Sequence, residues 1–262
     1  MGSTPLRSRP LGAKLSAAMA KRLFDISFAL LVLALSAPVM LWALWRVWSY
    51  DRRDPLYRAP RVGRGNRDFT MLKIRSMTVD ADKSGVASTS AADTRITPVG
   101  HLIRRWKLDE LSQFWNVLMG DMSVVGPRPQ VRKGGVDRYT AQELRLLTVR
   151  PGITDISSIV FSDEGEILAG RGDPDAAYEA LVRPWKSRLG LFYIDHRSLW
   201  LDLRLVYLTG VAIVSRRRAL AGIDGLLERH GADATVRRVC RRDAPLEPAL
   251  PPGADGPARS LA

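Results

Sequence analysis

The sequence has little cysteine, little histidine and few acidic residues. Its 262 residues include one cysteine, Cys240, which excludes an internal disulfide and fits a reducing compartment. The three histidines, His101, His196 and His230, are scattered and match no metal-ligand spacing. The chain has 27 Asp and Glu against 40 Lys and Arg, a net charge of +13. This excess favours an anionic partner (nucleic acid, anionic lipid or a phosphorylated substrate) without choosing among them.

Charge is also absent from a long apolar run, Ile26 to Trp45. As a helix, this run is about 30 Å long, roughly the thickness of the hydrocarbon core of a bilayer. The run ends in bulky Leu and Trp residues, which disfavours a cleaved signal peptide. The cluster of Trp48 and Tyr50 with the preceding tryptophans is typical of a membrane-interface aromatic belt.

Basic residues flank this run on both sides, from Arg7 to Arg22 before it and from Arg46 to Arg67 after it. Because Lys and Arg beside a membrane segment favour the cytoplasmic side, a straight crossing would place one basic flank outside. A helix that bends at Pro38 and returns to the same face keeps both flanks inside, since Pro removes a backbone donor and clashes with the preceding turn. The residues alone leave the single-pass helix and the re-entrant helix open.

The segment after the run predicts short strands and then short helices. Residues 51–82 read as extended pieces around a turn at Gly63 and Gly65, and 83–93 as a polar loop. Thr97-Pro98 predicts the start of a helix that ends at Trp106. A second helix is predicted over Leu108–Met119, with its apolar face formed by Leu111, Phe114, Trp115 and Leu118 and its end at Gly120.

The second half of the chain predicts a stiff loop and further helices. The loop is Gly126-Pro127-Arg128-Pro129, Thr140 to Glu143 fits a capping box, and residues 174–188 form a helix. Residues 198–215 are apolar but interrupted by charge, which fits either a helix in the membrane interface or a core helix. From Asp243 onward, Pro, Ala and Gly predict a disordered tail.

Asp109 and Glu110 are the best candidates for chemistry. Such a pair at a helix start often serves only as a cap and suits the helix dipole. Here, however, it lies in a region rich in Arg, close to Arg104 and followed by the loop that carries Arg128. Arg suits bidentate phosphate binding, and a carboxylate that attacks phosphorus needs positive charge beside it, from Arg or a bound Mg²⁺.

Several strings in the sequence resemble the bacterial sugar transferase family, the monotopic phosphoglycosyl transferases. The strings are Lys21-Arg22-Leu23-Phe24-Asp25, Lys73-Ile74-Arg75-Ser76-Met77, Leu108-Asp109-Glu110-Leu111, Phe114 to Pro129, Arg150-Pro151-Gly152-Ile153-Thr154, Phe192-Tyr193-Ile194 and Ser198 to Leu203. The resemblance covers roughly residues 20 to 215. Two departures are visible: Ala37 separates Ser36 from Pro38, where the family has an adjacent Ser-Pro pair, and the stretch from Asp155 to Glu164 differs from the family pattern.

The resemblance implies a reaction and a set of residues. Family members transfer a sugar-1-phosphate from a UDP-sugar to polyprenyl (undecaprenyl) phosphate and release UMP, through a phospho-aspartyl intermediate. On this chain Asp109 would be the nucleophile and Glu110 would help to hold Mg²⁺. The remaining site residues implied, all for substrate binding, are Lys73, Arg75, Arg104, Arg128 and Arg150.

We therefore expect an α/β, mainly helical fold with a re-entrant N-terminal membrane helix, one compact cytoplasmic catalytic domain with amphipathic interfacial helices, and a small β element. The expected divisions are a flexible basic N-terminus at 1–20, the membrane helix at 21–50, the catalytic domain at 51–215, and a basic and then disordered tail at 216–262. The expected location is the cytoplasmic face of the bacterial inner membrane. The expected partners are a UDP-sugar and polyprenyl phosphate, not nucleic acid, with a homodimer left open. The alternative is a membrane-tethered protein that binds nucleic acid or acts as an anionic-lipid scaffold.

Overall fold

The computed structural model describes residues 11–81 and 93–256. The described chain is mainly helical, with two small two-stranded sheets. Residues 1–10 of the predicted flexible N-terminus, and the predicted polar loop at 83–93 apart from Asp93, lie outside the described residues.

The elements follow one another in a simple order. The α-helices are α1 (Leu11–Asp51), α2 (Pro98–Arg105), α3 (Gln113–Met119), α4 (Ile156–Val160), α5 (Glu164–Leu168), α6 (Pro174–Ala177), α7 (Arg183–His196), α8 (Leu199–Val214), α9 (Arg216–Arg229) and α10 (Ala234–Arg241). The strands are β1 (Leu56–Val62), β2 (Asp68–Ile74), β3 (Ser123–Val125) and β4 (Gly152–Thr154). Short 3-10 helices are Arg64–Asn66, Leu108–Glu110, Val136–Arg138 and Glu143–Thr148, and a π-helical turn, Tyr178–Val182, joins α6 to α7.

β1 and β2 form a hairpin in the region where the sequence predicts short extended pieces and a turn at Gly63 and Gly65. They are antiparallel, with Leu56 opposite Ile74 and Val62 opposite Asp68. Gly65 in the turn has a φ of 71°, a left-handed conformation that glycine adopts without steric cost. β2 thereby carries Lys73 to the end of the hairpin.

β3 and β4 are parallel, although 26 residues separate them along the chain. A Cβ atom on Gly152 would lie 2.1 Å from the backbone nitrogen of Gly126, so only glycine permits this approach. The contact fixes the start of the predicted stiff loop at 126–129, which carries Arg128.

The region around Asp109 differs in part from the predicted helix over Leu108–Met119. Thr97 caps α2 by accepting a hydrogen bond from the Gly100 amide, and Gly120 ends α3 with a φ of 93°, as predicted. Between them, Lys107 adopts a left-handed φ of 52°, and the chain forms a tight 3-10 turn before α3 begins. Lys107 therefore separates Asp109 from α2, and the 3-10 turn keeps it outside the regular helix α3.

The predicted apolar face of α3 is also wrong in one respect, because Trp115 is exposed and Asn116 is buried. The Asn116 side chain donates to the carbonyl of Thr70 (2.7 Å) and accepts from the amide of Leu72 (2.9 Å). The buried amide satisfies two backbone groups of β2, one donor and one acceptor, which an indole could not do. α3 is therefore fastened to the same strand that carries Lys73.

α1 is one helix that continues through Pro38, and it is long and apolar enough to cross a membrane. A narrow stripe that includes Ala29, Ala43 and Val47 is buried against the domain, while most other apolar side chains of the helix are exposed. Among the described residues, the buried hydroxyl of Ser36 has no hydrogen-bond partner. The exposed apolar surface indicates attachment to a membrane.

The first half of α1 is hydrogen-bonded to α3 and β3 of the folded domain. Near the start of α1, Arg22 donates to the carbonyls of Val117 (2.6 Å) and Leu118 (2.8 Å) of α3. Asp25 is buried and accepts hydrogen bonds from the hydroxyl of Ser123 (3.0 Å) and the amide of Val124 in β3. Fully satisfied buried polar groups of this kind fix one arrangement of the helix on the domain.

The folded part extends beyond residue 215, where the sequence analysis ended the domain. α9 and α10 pack into the main core through Ala219, Leu220, Ile223, Leu226, Leu227 and Cys240. The described part of the predicted disordered tail is also packed, because Leu246 and Ala249 contact that core. The apolar residues of α9 recur at helical spacing, so their burial follows from a pattern already present in the sequence.

α8 combines both alternatives considered for residues 198–215. Leu201, Leu205 and Leu208 are buried in the core. The opposite side exposes large apolar residues, namely Trp200, Leu203, Tyr207, Ile213 and Val214. The helix therefore belongs to the core and also presents an apolar face, as expected of an interfacial helix.

Candidate active site

Asp109 lies beside Lys73 at the junction of the hairpin and the helices. The Oδ2 atom of Asp109 is 3.6 Å from the Nζ atom of Lys73, and the Asp109 side chain is 13 % exposed. The 3-10 turn after Lys107 holds Asp109, and β2 holds Lys73. Two rigid elements therefore place a carboxylate and an ammonium next to each other.

Glu110 faces a different cation. Its Oε1 atom forms a salt bridge with the guanidinium of Arg128. Arg128 also donates to the carbonyl of Ile153 in β4 at 3.0 Å, so the parallel strands hold its guanidinium in place. The adjacent carboxylates 109 and 110 thus have separate positive partners.

The pKa values of the two carboxylates shift in opposite directions. Burial raises the pKa of Asp109, and the nearby charge of Lys73 only partly opposes this effect. Burial would also raise the pKa of Glu110, but the charges of Arg128 and Lys73 outweigh it and lower that pKa to about 2. Glu110 is therefore a permanent anion, whereas Asp109 carries the more basic carboxylate.

Lys73 is also perturbed. Burial lowers the pKa of Lys73, and the neighbouring charge of Asp109 raises it in part. A partly desolvated ammonium between two carboxylates interacts more strongly with an added anion than an exposed lysine does, because solvent screens it less.

Arg104 completes the cluster, whereas Arg75 and Arg150 are engaged elsewhere. Arg104 donates from Nε to the hydroxyl of Ser76 at 2.9 Å, and its charge lowers the pKa of Asp109 against the effect of burial. Arg75 binds Asp51, the last residue of α1, with two hydrogen bonds of 2.6 Å. Arg150 donates to the carbonyl of Gly120 at 2.7 Å. Of the seven predicted site residues, the structure brings five together: Asp109 and, around it, Lys73, Arg104, Glu110 and Arg128.

A cavity of about 460 Å³ adjoins this cluster, and Lys73 and Arg128 line it. Its walls come from β1 and β2, the loop after β3 and the start of α7. Further charged or aromatic residues that the sequence does not predict as site residues also line it: Arg61, Lys133, Arg138, Tyr139, Asp155, Glu164, Asp175, Tyr178, Glu179, Arg183 and Lys186. They come from distant segments without a shared motif, and only their tertiary packing brings them together.

Asp109 and Glu110 provide the oxygen ligands that a magnesium site would use. Among the described residues, no three His, Cys, Asp or Glu side chains form a metal-binding group. Mg²⁺ is often held by only one or two carboxylates, with waters and substrate phosphates as the other ligands. Two adjacent carboxylates, one of which stays ionised, fit that kind of site.

The chain belongs to the bacterial sugar transferase family, whose model matches residues 16–216. The matched region holds α1, both sheets, the Asp109 cluster and α8.

Curated relatives carry related names. The chain is 38% identical over 212 residues to the undecaprenyl-phosphate glucose phosphotransferase of Komagataeibacter xylinus, a match that covers 79% of this chain and 37% of the relative. It is 34% identical over 194 residues to a UDP-N-acetylgalactosamine-undecaprenyl-phosphate N-acetylgalactosaminephosphotransferase of Aeromonas hydrophila, with 73% and 43% covered. It is 35% identical over 191 residues to a UDP-glucose:undecaprenyl-phosphate glucose-1-phosphate transferase of Klebsiella pneumoniae, with 72% and 39% covered. The matches thus span about two fifths of each relative's length.

Proposed function

We propose that this chain transfers a sugar-1-phosphate from a UDP-sugar to polyprenyl phosphate, with Asp109 as the nucleophile. The observation that carries the proposal is the Asp109 carboxylate, 3.6 Å from Lys73 and beside the cavity that Lys73 and Arg128 line. The names of the relatives support this substrate pair.

In the first step, a carboxylate oxygen of Asp109 attacks the phosphorus next to the sugar. The bond from that phosphorus to the oxygen of the second phosphate breaks, and UMP leaves with the electron pair. In the second step, an oxygen of polyprenyl phosphate attacks the aspartyl phosphate, the bond to Asp109 breaks, and the carboxylate returns. Splitting one transfer into two steps is the ordinary advantage of a covalent intermediate.

The raised pKa of Asp109 supports this assignment. A more basic carboxylate is a better nucleophile, provided that it is ionised at the working pH. Lys73 and Arg104 favour its ionised form, against the effect of burial, and also reduce its repulsion of the incoming diphosphate. Positioning and neutralisation of charge account for most of the catalysis of phosphoryl transfer.

Glu110 would help to hold Mg²⁺ together with the diphosphate. A bound Mg²⁺ would neutralise charge that develops on the phosphate oxygens. Glu110 suits this role because it remains ionised at any physiological pH. Arg128 orients Glu110 and lines the cavity, where it can bind phosphate in a bidentate manner.

The contacts of α1 support a re-entrant topology, and the basic residues on both flanks of the helix favour the cytoplasmic face. Arg22 and Asp51 near the two ends of α1 both bind the same domain. A helix that crosses a bilayer separates its ends by about 30 Å on opposite faces, which would pull one of these contacts apart. Pro38 gives a physical reason for the helix to bend inside the membrane.

A UMP-release assay tests the function directly. The membrane-inserted protein is incubated with Mg²⁺, undecaprenyl phosphate and each of several UDP-sugars. We expect UMP in amounts equal to the prenyl-linked product for one or a few sugars. UMP release without acceptor, beyond one equivalent per enzyme, would instead indicate a hydrolase. The absence of both products with every sugar would reject the proposal.

No observation favours the nucleic-acid or lipid-scaffold alternative.

A further inference from the structure

Residues 244–254 lie against segments next to those that line the cavity; we term them the C-terminal strap. The amide of Ala249 donates to the carbonyl of Ala180 at 2.9 Å. The hydroxyl of Thr140 donates to the carbonyl of Pro252 at 2.5 Å. Leu246 and Ala249 pack against the core, and Pro252 is buried. The strap is thus joined to two separate segments of the domain.

Each anchor point adjoins residues that line the cavity. Ala180 lies in the π-helical turn directly after Tyr178 and Glu179, and Thr140 directly follows Tyr139. Gly253 of the strap has a φ of 76°, and a Cβ atom there would lie 2.9 Å from the Gln142 side chain. The close fit extends the contact along the segment 139–142.

The cavity wall that these segments form is also held by ion pairs. Arg183 donates to the carbonyl of Arg138 (2.6 Å) and to the buried carboxylate of Glu143 (2.9 Å). The pair of Arg138 and Glu179 is longer, 3.7 Å, and the Arg138 side chain is 59% exposed. Because exposed ion pairs contribute little to stability, the contacts of Arg183 hold the wall more firmly than the pair of Arg138 and Glu179 does. The strap adds a second set of contacts to the same wall.

We propose that the C-terminal strap is a positioning element that holds the wall formed by 138–143 and 178–183 in its substrate-binding arrangement. The consequence for UDP-sugar affinity rests on the proposed function. The strap lies beyond the region matched by the family model, which ends at residue 216. The positioning role is therefore assigned from the contacts of this chain alone.

The physical effect is preorganisation. A wall that is already ordered loses little conformational entropy when the substrate binds. A wall that the strap no longer holds must become ordered at binding, which weakens the affinity. The wall residues lie on elements other than the 3-10 turn that carries Asp109. We therefore expect their contacts with the substrate to be equally strong in the ground state and the transition state, so their loss should raise KM and leave kcat nearly unchanged.

Two truncations test the proposal in the membrane-inserted protein. A stop after Asp243 removes the strap, and a stop after Gly256 keeps it and serves as the matched control. We expect the first to raise KM for the UDP-sugar by about fivefold or more with kcat within about twofold, and the second to change neither. Ala249→Pro removes the bond to Ala180 and should act in the same direction as the stop after Asp243, whereas Ala249→Gly keeps the amide and should not.

Hydrogen exchange gives a readout that does not depend on turnover. Without the strap, the backbone amides of 138–143 and 178–183 should exchange faster, while those of α3 should not change. Unchanged exchange in both segments would overturn the proposal, as would an unchanged KM. A parallel loss of kcat and of folded protein, with KM unchanged, would show that the strap only stabilises the fold. If the full chain turns over no UDP-sugar, the proposed function fails, and the exchange result still decides whether the strap holds the wall.

Discussion

Arg75 in the loop after β2 donates two hydrogen bonds of 2.6 Å to the carboxylate of Asp51, the last residue of the long apolar helix. The Arg75 side chain is 8% exposed, so solvent screens this pair weakly. Arg75 also donates to the carbonyl of Asp54 at 2.9 Å. One side chain therefore fastens the end of α1 to the strand that carries Lys73.

This fastening leads to a prediction about topology. With Cys240 replaced by Ala, single cysteines are introduced at Ser16 and Arg53, near the two ends of α1. We expect a membrane-impermeant thiol reagent to label both only from the cytoplasmic side, in inside-out vesicles and not in intact cells. A cysteine at Leu35, in the apolar middle, should stay unlabelled in both preparations and serves as the control. Labelling of the two ends from opposite sides would establish a spanning helix.

The nucleophile prediction concerns Asp109. Asp109→Asn keeps the size of the side chain but removes its nucleophilic oxygen, so we expect turnover to fall by at least about a thousandfold. Label from the β-phosphate of the UDP-sugar should be trapped on the wild-type protein in the absence of acceptor and not on the variant. Equal membrane insertion and equal thermal stability of the two proteins are the control. Full turnover by the Asn variant would contradict the assignment.

The pH prediction concerns Lys73. Asp109 must be ionised to attack, and burial raises its pKa above the ordinary aspartate value, so activity should fall as pH drops through that raised pKa. Lys73 lowers this pKa, and Lys73→Met should therefore move the acid limb of kcat/KM to higher pH. Lys73→Arg keeps the charge and should leave the limb close to its wild-type position. An acid limb that does not move in the Met variant would argue against this coupling.

The pair of Glu110 and Arg128 should act as a unit. Glu110→Gln leaves Arg128 without its partner, and Arg128→Ala leaves a buried anion, so each should lower kcat/KM strongly. Because the two side chains contact each other, the double variant should lose less than the sum of the single losses, by about 1–2 kcal/mol. The measurement is a double-mutant cycle of kcat/KM, with the distant exposed pair Arg58 and Asp54 as the control cycle. Additive losses would show that the residues act independently.

The stability prediction concerns Glu143. Its carboxylate is fully buried and accepts from the Thr140 amide (3.0 Å), Arg183 (2.9 Å) and the Ser187 hydroxyl (2.6 Å). Glu143→Ala leaves the largely buried guanidinium of Arg183 without its buried carboxylate partner, so we expect the free energy of unfolding to fall by about 3 kcal/mol. Removing an exposed carboxylate, as in Asp195→Ala, should cost less than about 1 kcal/mol. Denaturant or thermal unfolding of the two variants compares the costs.

Much of the local structure could be predicted because it depends on neighbouring residues. The hairpin turn at Gly65, the cap at Thr97 and the helix end at Gly120 each follow from a short-range conformational preference. The predicted capping box at Thr140 is confirmed, because the Thr140 amide donates a hydrogen bond to the Glu143 carboxylate. The turn that follows is a 3-10 helix. The apolar residues of α9 also have helical spacing in the sequence. The segment begins with three arginines, however, and the sequence prediction treats it as part of the tail.

The sequence by itself determined the apolar helix, the carboxylate pair and its basic surroundings, because hydrophobicity, charge and backbone preference are properties of the residues themselves. Only the tertiary structure decided which cations meet Asp109: it joins Lys73 to Asp109 and Arg128 to Glu110, and it places Arg75 on Asp51. It also decided that the C-terminal segment lies against the cavity wall. Such contacts join residues tens to more than a hundred positions apart, and they form only when burial of the shared core brings the segments together.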